Sequence, residues 1–164
     1  MARRWIMPMA AGLLATAVAT CSAPADQGEA PATVSPLFPD EAPPPPQLDE
    51  RQVTLGADLY QQNCASCHGA DLSGDPDWMT PNPDGSFRPP PHDSSGHTWH
   101  HSDQLLAQVI RGDLDFPESR MPAFAGLLSD EEIKAIIEYL KASWGPQERA
   151  FQWQVTWQEA QRPR

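Results

Sequence analysis

The chain has 164 residues, with 22 acidic and 11 basic side chains and a formal net charge of −11. That length accommodates one domain with tails, and so negative a surface repels polyanions, which excludes nucleic acid as a partner. Two readings of the charge remain: steering toward a basic docking patch on a protein partner, or plain solubility of an exported protein.

In chain order, residues 1–20 read as a signal peptide. Arg3 and Arg4 precede an apolar run from Trp5 to Ala19 that is too short for a good membrane span. The rest of a twin-arginine signal is absent, which favours the general secretory route. Val18-Ala19-Thr20-Cys21 resembles the lipobox of bacterial lipoproteins, apart from Thr20 where a smaller residue is usual. The resemblance implies lipidation of Cys21 and a membrane tether. The competing reading is ordinary cleavage after Ala19 or after Ala25, the latter removing Cys21. Residues 21–50 form a Pro-rich disordered linker, with Pro24, Pro31, Pro36, Pro39 and the run Pro43–Pro46. At about 3.1 Å per residue where polyproline-like, it either spaces a domain from a membrane or is a passive tail.

A domain follows over 51–145. Val53, Leu55, Leu59 and Tyr60 predict a helix from Glu50 to about Asn63. The Gly/Pro/Asp-rich stretch from Gly69 to Gly96 is too irregular for a long element. Ser102 caps a helix to Arg111, with Leu105, Leu106, Val109 and Ile110 on its buried side and Gly112 as the stop. A loop from Asp113 to Leu128 carries Met121-Pro122. Ser129 and Glu132 form a capping box ahead of the stripe Ile133, Ile136, Ile137 and Leu140. That helix ends near Trp144-Gly145-Pro146. A helical tail over 146–164, from about Gln147 to Glu159, has Phe151/Val155 and Trp153/Trp157 as i,i+4 pairs. Strand-like alternation is absent, so the expected fold is all-α with long loops.

The chemistry sits in Cys64-Ala65-Ser66-Cys67-His68. Cys-x-x-Cys-His attaches haem c: two thiols bond the vinyl-derived carbons and the adjacent imidazole reaches the iron. A zinc site wants more cysteines, and only Cys21 remains. A thioredoxin-like pair wants a βαβ surround, which is missing. Over about residues 52–144 the sequence resembles class I cytochromes c. Besides the motif, Gly56 and Tyr60 match that family's N-terminal helix, and Ile136 and Tyr139 its C-terminal helix. The resemblance implies that these two helices cross closely, that His68 binds iron, and that a downstream Met, often before Pro, is the sixth ligand. Met121 fits, with Met79 as rival; otherwise Met121 is a core Met. The resemblance also implies that His68 donates its second ring N–H to a Pro carbonyl, with Pro81 and Pro89–Pro91 as candidates.

His92, His97, His100 and His101 lie within ten residues around Trp99. Three readings compete: haem-pocket or propionate contacts by Trp99, His92 and Tyr60; a second metal site such as copper; or plain surface histidines. A His from this group is also an alternative to Met121. The leading functional expectation is a monohaem electron carrier in the periplasm or cell envelope, not an enzyme. It would serve redox protein partners, for instance as the electron-transfer subunit of a dehydrogenase or oxidase. The alternatives are a haem protein with a labile sixth position, acting in catalysis or sensing, and a copper-handling haem protein.

Overall fold

The Asp49 carboxylate accepts from the backbone N–H groups of Arg51 and Gln52, satisfying donors that a helix start leaves open. The helix it begins, α1, spans Glu50–Asn63, and a four-residue turn of helix, α2, follows at Ala65–His68. The computed structural model describes residues 42–163. After α2 come a 3-10 turn at Thr98–His100, then α3 (Asp103–Arg111), α4 (Asp130–Ala142) and α5 (Pro146–Ala160). Among the described residues no strand forms, and the only β-type pairing is an isolated bridge between Ala125 and Leu128. The all-α expectation is met. No helix among these residues is long and apolar enough to cross a membrane.

The predicted capping box forms at the start of α4. Ser129 Oγ accepts from Glu132 N–H at 3.3 Å, and Glu132 Oε2 accepts from Ser129 N–H at 2.8 Å. Beyond it Ile133, Ile136, Ile137 and Leu140 are buried, each worth about 1.5–3 kcal/mol of removal from water. That stripe packs on α1, whose buried residues are Gly56, Leu59 and Tyr60. A Cβ on Gly56 would stand 1.9 Å from the Ala135 carbonyl oxygen and 2.9 Å from Tyr139 Cβ. The two backbones therefore touch at Gly56, and only glycine permits the crossing. Tyr60 and Tyr139 meet beside it, with ring centroids 5.4 Å apart.

Ser102 caps α3 by accepting from Leu105 N–H at 3.1 Å, and Leu106 and Ile110 join the core. Lys141 of α4 bridges to Asp103 at 2.7 Å and to Glu138 at 3.1 Å.

The tail helix docks differently from its sequence pattern. Phe151 is exposed, and the face turned to the body is polar. Gln152, 2% exposed, donates to the His101 carbonyl and to Asp103 Oδ1. Thr156 accepts from Asp103 N–H at 3.1 Å, and Glu159 accepts from Ser102 Oγ. Residues 152, 156 and 159 share one helical face, so α5 is held by hydrogen bonds to the start of α3, and Phe151 adds ring contacts with Trp99 and His100.

Its other side holds the end of the Pro-rich segment. Trp153 Nε1 donates to the Pro43 carbonyl at 2.6 Å, Arg149 to the Pro46 carbonyl at 3.0 Å, and Gln154 Oε1 accepts from Ala42 N–H at 2.8 Å. The disordered-linker expectation for 21–50 is thus corrected for 42–49. A prolyl stretch cannot bond to itself, but its free carbonyls suit the donors that α5 presents. The remainder of that linker, the signal peptide 1–20 and Cys21 lie outside the described residues.

Candidate functional site

The Cys64–His68 motif stands where α1 runs into α2. Cys64 N–H still bonds to the Tyr60 carbonyl at 2.8 Å, and the chain then turns through Ala65–His68. Cys64 at its start and Cys67 and His68 at its end are therefore carried on one helical turn. Neither cysteine is in a disulfide; Cys64 is buried and Cys67 exposed. Burial, and then the neighbouring Cys67, push the Cys64 thiol up to about 11. A thioether carries no charge to desolvate, so it suits this position.

His68 is fixed from two directions. Its Nδ1–H donates to the Pro90 carbonyl at 3.0 Å, which defines the tautomer and leaves the Nε2 lone pair for a metal. The Pro90 carbonyl is the one chosen from the candidates Pro81 and Pro89–Pro91. Burial lowers the His68 pKa, partly offset by that bond, so the ring is in its neutral, ligating form. The His68 carbonyl accepts from Gly74 N–H at 2.8 Å, and the Tyr60 hydroxyl donates to the Gly69 carbonyl at 3.2 Å. Burial foremost raises the Tyr60 phenol above its ordinary value, which keeps it a donor. Gly74, at φ +63°, lets the proline run pass beneath: a Cβ there would lie 2.5 Å from the Pro90 carbonyl carbon.

The four histidines do not converge. His92 stacks on His68, with ring centroids 4.0 Å apart and planes 20° apart. His97 stacks on Trp78 at 5.0 Å and meets the edge of His101 at 5.3 Å. His100 is exposed and sits with Trp99 and Phe151. Among the described residues no three His, Cys, Asp or Glu side chains are placed to hold a metal ion. The four rings are thus divided, His92 against His68, His97 against Trp78 and His101, and His100 against Trp99. Trp99 donates its indole N–H to the Gly96 carbonyl at 2.9 Å and meets Phe151 edge-on. Burial foremost, followed by His68 and His97, lowers the His92 pKa to about 3, so this ring is neutral.

The two methionine candidates separate clearly. Met79 is 79% exposed, whereas Met121 packs against the core cluster. The Met121 loop is tied down on both sides. Phe124 N–H bonds to the Ile110 carbonyl at 3.1 Å and Ala125 N–H to Arg111 at 3.2 Å. Phe87 N–H bonds to the Glu118 carbonyl at 2.9 Å, and Arg120 pairs with Asp84.

The donor set fits a covalently held haem. Two reduced thiols and a neutral imidazole share one turn, the imidazole being oriented by a backbone carbonyl. Cys64 and Cys67 would hold the macrocycle and His68 the iron. Fold and site together define a c-type haem protein built on two closely crossed helices.

A family model described as Cytochrome c matches residues 53–144, more than half of the chain, and the chain belongs to that family. It is also similar to the cbb3-type cytochrome c oxidase subunit FixP of Rhizobium etli, at 30% identity over 102 residues, 61% of this chain and 32% of that protein. The chain thus spans about a third of that relative's length. No solved structure matches. Membership carries a covalent haem c on Cys64-x-x-Cys67 and haem-based electron transfer.

Sequence reasoning grouped His92 with its three neighbours and missed its contact with His68. The one available signal was its place two residues after Pro90, and three consecutive prolines gave no means of choosing among them.

Proposed function

We propose that the protein is a monohaem electron carrier working outside the cytoplasm, with His68 and Met121 as axial ligands and no substrate chemistry of its own. Haem supplies a one-electron Fe(III)/Fe(II) couple. The chain holds it through Cys64 and Cys67, presents a neutral imidazole at a fixed orientation, and excludes water with the core formed by α1 and α4. The observation that carries the reading is the His68–Pro90 bond at 3.0 Å on a turn bearing two free thiols. For Met121, its packing on the core against the exposure of Met79 is the support. His92, stacked face-on with ring centroids 4.0 Å apart, stands too close to His68 for one iron to be held between the two rings, which argues against it as the sixth ligand. Tyr60 braces the turn, while Trp99 and His92 line the pocket.

The relative's role as an oxidase subunit supports a redox protein partner in the cell envelope, and the charge of −11 supports a basic docking patch on that partner. Cys21 is the proposed lipid attachment, tested by mass spectrometry of the mature N-terminus. An unlipidated chain starting after Cys21 removes the anchor. The axial pair is tested by Met121→Ala. The ferric protein should lose its Met–iron absorption band and its potential should fall, since a soft thioether favours Fe(II). A retained band rules out Met121. Rapid stoichiometric binding of cyanide to the unmodified protein at neutral pH would instead favour a labile sixth position.

A further inference from the structure

We infer that His92 is a positioning residue for the proximal ligand: its imidazole, stacked on the face of His68, sets the plane in which the His68 ring stands. The inference rests on the reading of His68 as iron ligand.

The hydrogen bond to Pro90 fixes one point of the His68 ring, Nδ1. One bond at the ring's edge limits rotation about Cβ–Cγ but resists tilting poorly. A second ring at 4.0 Å, nearly parallel, opposes tilting toward that face through contact across the whole ring. The Tyr60 ring meets His92 near edge-on at 5.8 Å, so the stack is backed by α1.

His92 is itself anchored at both ends. Its N–H donates to the Leu72 carbonyl at 2.8 Å, and its carbonyl accepts from Trp144 Nε1 at 2.7 Å. Leu72 is buried at φ +69°, a conformation that side-chain-bearing residues seldom adopt. The backbone thus accepts a strained residue where it receives His92.

The imidazole is also a costly choice for mere filling. Its Nδ1 is enclosed without a hydrogen-bond partner, whereas an aliphatic side chain would bury no unpaired polar atom. What imidazole offers over an aliphatic side chain is a flat face, presented to His68 and backed by Tyr60.

The test uses the full-length holoprotein and the four haem methyl proton resonances of its ferric form. Their order and spread follow the orientations of both axial ligands, and with Met121 unaltered a change reports the imidazole plane. His92→Leu keeps an apolar side chain but no flat face, and should change the order or spread. His92→Phe restores a flat face and should return the wild-type order. A His92→Leu protein with wild-type shifts overturns the inference, as does a His92→Phe protein that matches His92→Leu. If His92→Leu yields no holoprotein, His92→Gln carries the same comparison. A purely space-filling role would move the melting temperature and leave the shifts alone. If the wild-type spectrum lacks a low-spin, histidine-ligated haem, the reading of His68 falls, and the stack's role with it. A normal wild-type spectrum with an unchanged His92→Leu spectrum removes the stack alone.

Discussion

Replacing Gly56 by Ala should weaken the protein, although helix propensity alone says the opposite. In an isolated helix the change gains about 0.8–1.0 kcal/mol. In α1 the added Cβ would stand 1.9 Å from the Ala135 carbonyl oxygen, where such atoms normally stay about 3.3 Å apart or more. Restoring that spacing moves α1 off α4 by more than about 1 Å. Tyr60 and Ala135 have no exposure and Ile136 only 1%, so the movement opens gaps in a close-packed interior. Overpacking of this kind costs roughly 1–3 kcal/mol or more. With lost contacts added and the propensity gain subtracted, the net loss should be about 2 kcal/mol. For a body of this size that lowers Tm by roughly 8 °C. Urea and thermal unfolding of the holoprotein, followed by far-ultraviolet circular dichroism and by haem absorbance, measure it. A Gly56→Ala protein as stable as wild type, or more so, refutes the contact and leaves propensity as the controlling effect.

Further outcomes follow from the docking of α5 and the histidines. Ser102→Ala removes the α3 cap and the partner of Glu159, and should cost about 1–2 kcal/mol; faster amide exchange in α5 is the expected sign, and unaltered exchange contradicts it. Trp153→Phe deletes the bond to the Pro43 carbonyl. Residues 42–48 should become easier to cleave, by about 0.5–1.5 kcal/mol of local opening, with the haem spectrum unchanged. Burial foremost, then His101 and His100, hold His97 below the ordinary histidine value. The unfolded chain therefore binds a proton near pH 6.5 that the folded chain refuses, so stability should decline as pH falls through that region. Urea midpoints at about pH 7.5 and 5.5 should differ less in His97→Gln; an equal difference in both proteins contradicts the assignment.

The sequence by itself determined the helices, their caps and the haem motif. Ser129 and Glu132 cap α4 through bonds spanning three residues, and the isoleucines behind them share a face because 3.6 residues make a turn. Cys64, Cys67 and His68 announce their cofactor because one rigid ring demands adjacent ligands. Gly56 and Tyr139 were legible as a close crossing only through the family pattern. The tertiary structure alone decided which carbonyl holds His68, since Pro90 lies 22 residues away and its neighbours on both sides are also prolines. It placed His92 on the His68 ring, His97 against His101 and His100 against Trp99, which no spacing rule anticipates. It also turned α5 so that Gln152, Thr156 and Glu159 face the body, against the apolar pattern. The division has one cause. Interactions within four residues are set by backbone geometry that every chain shares, whereas contacts at long range depend on where the rest of the fold delivers its donors, carbonyls and rings.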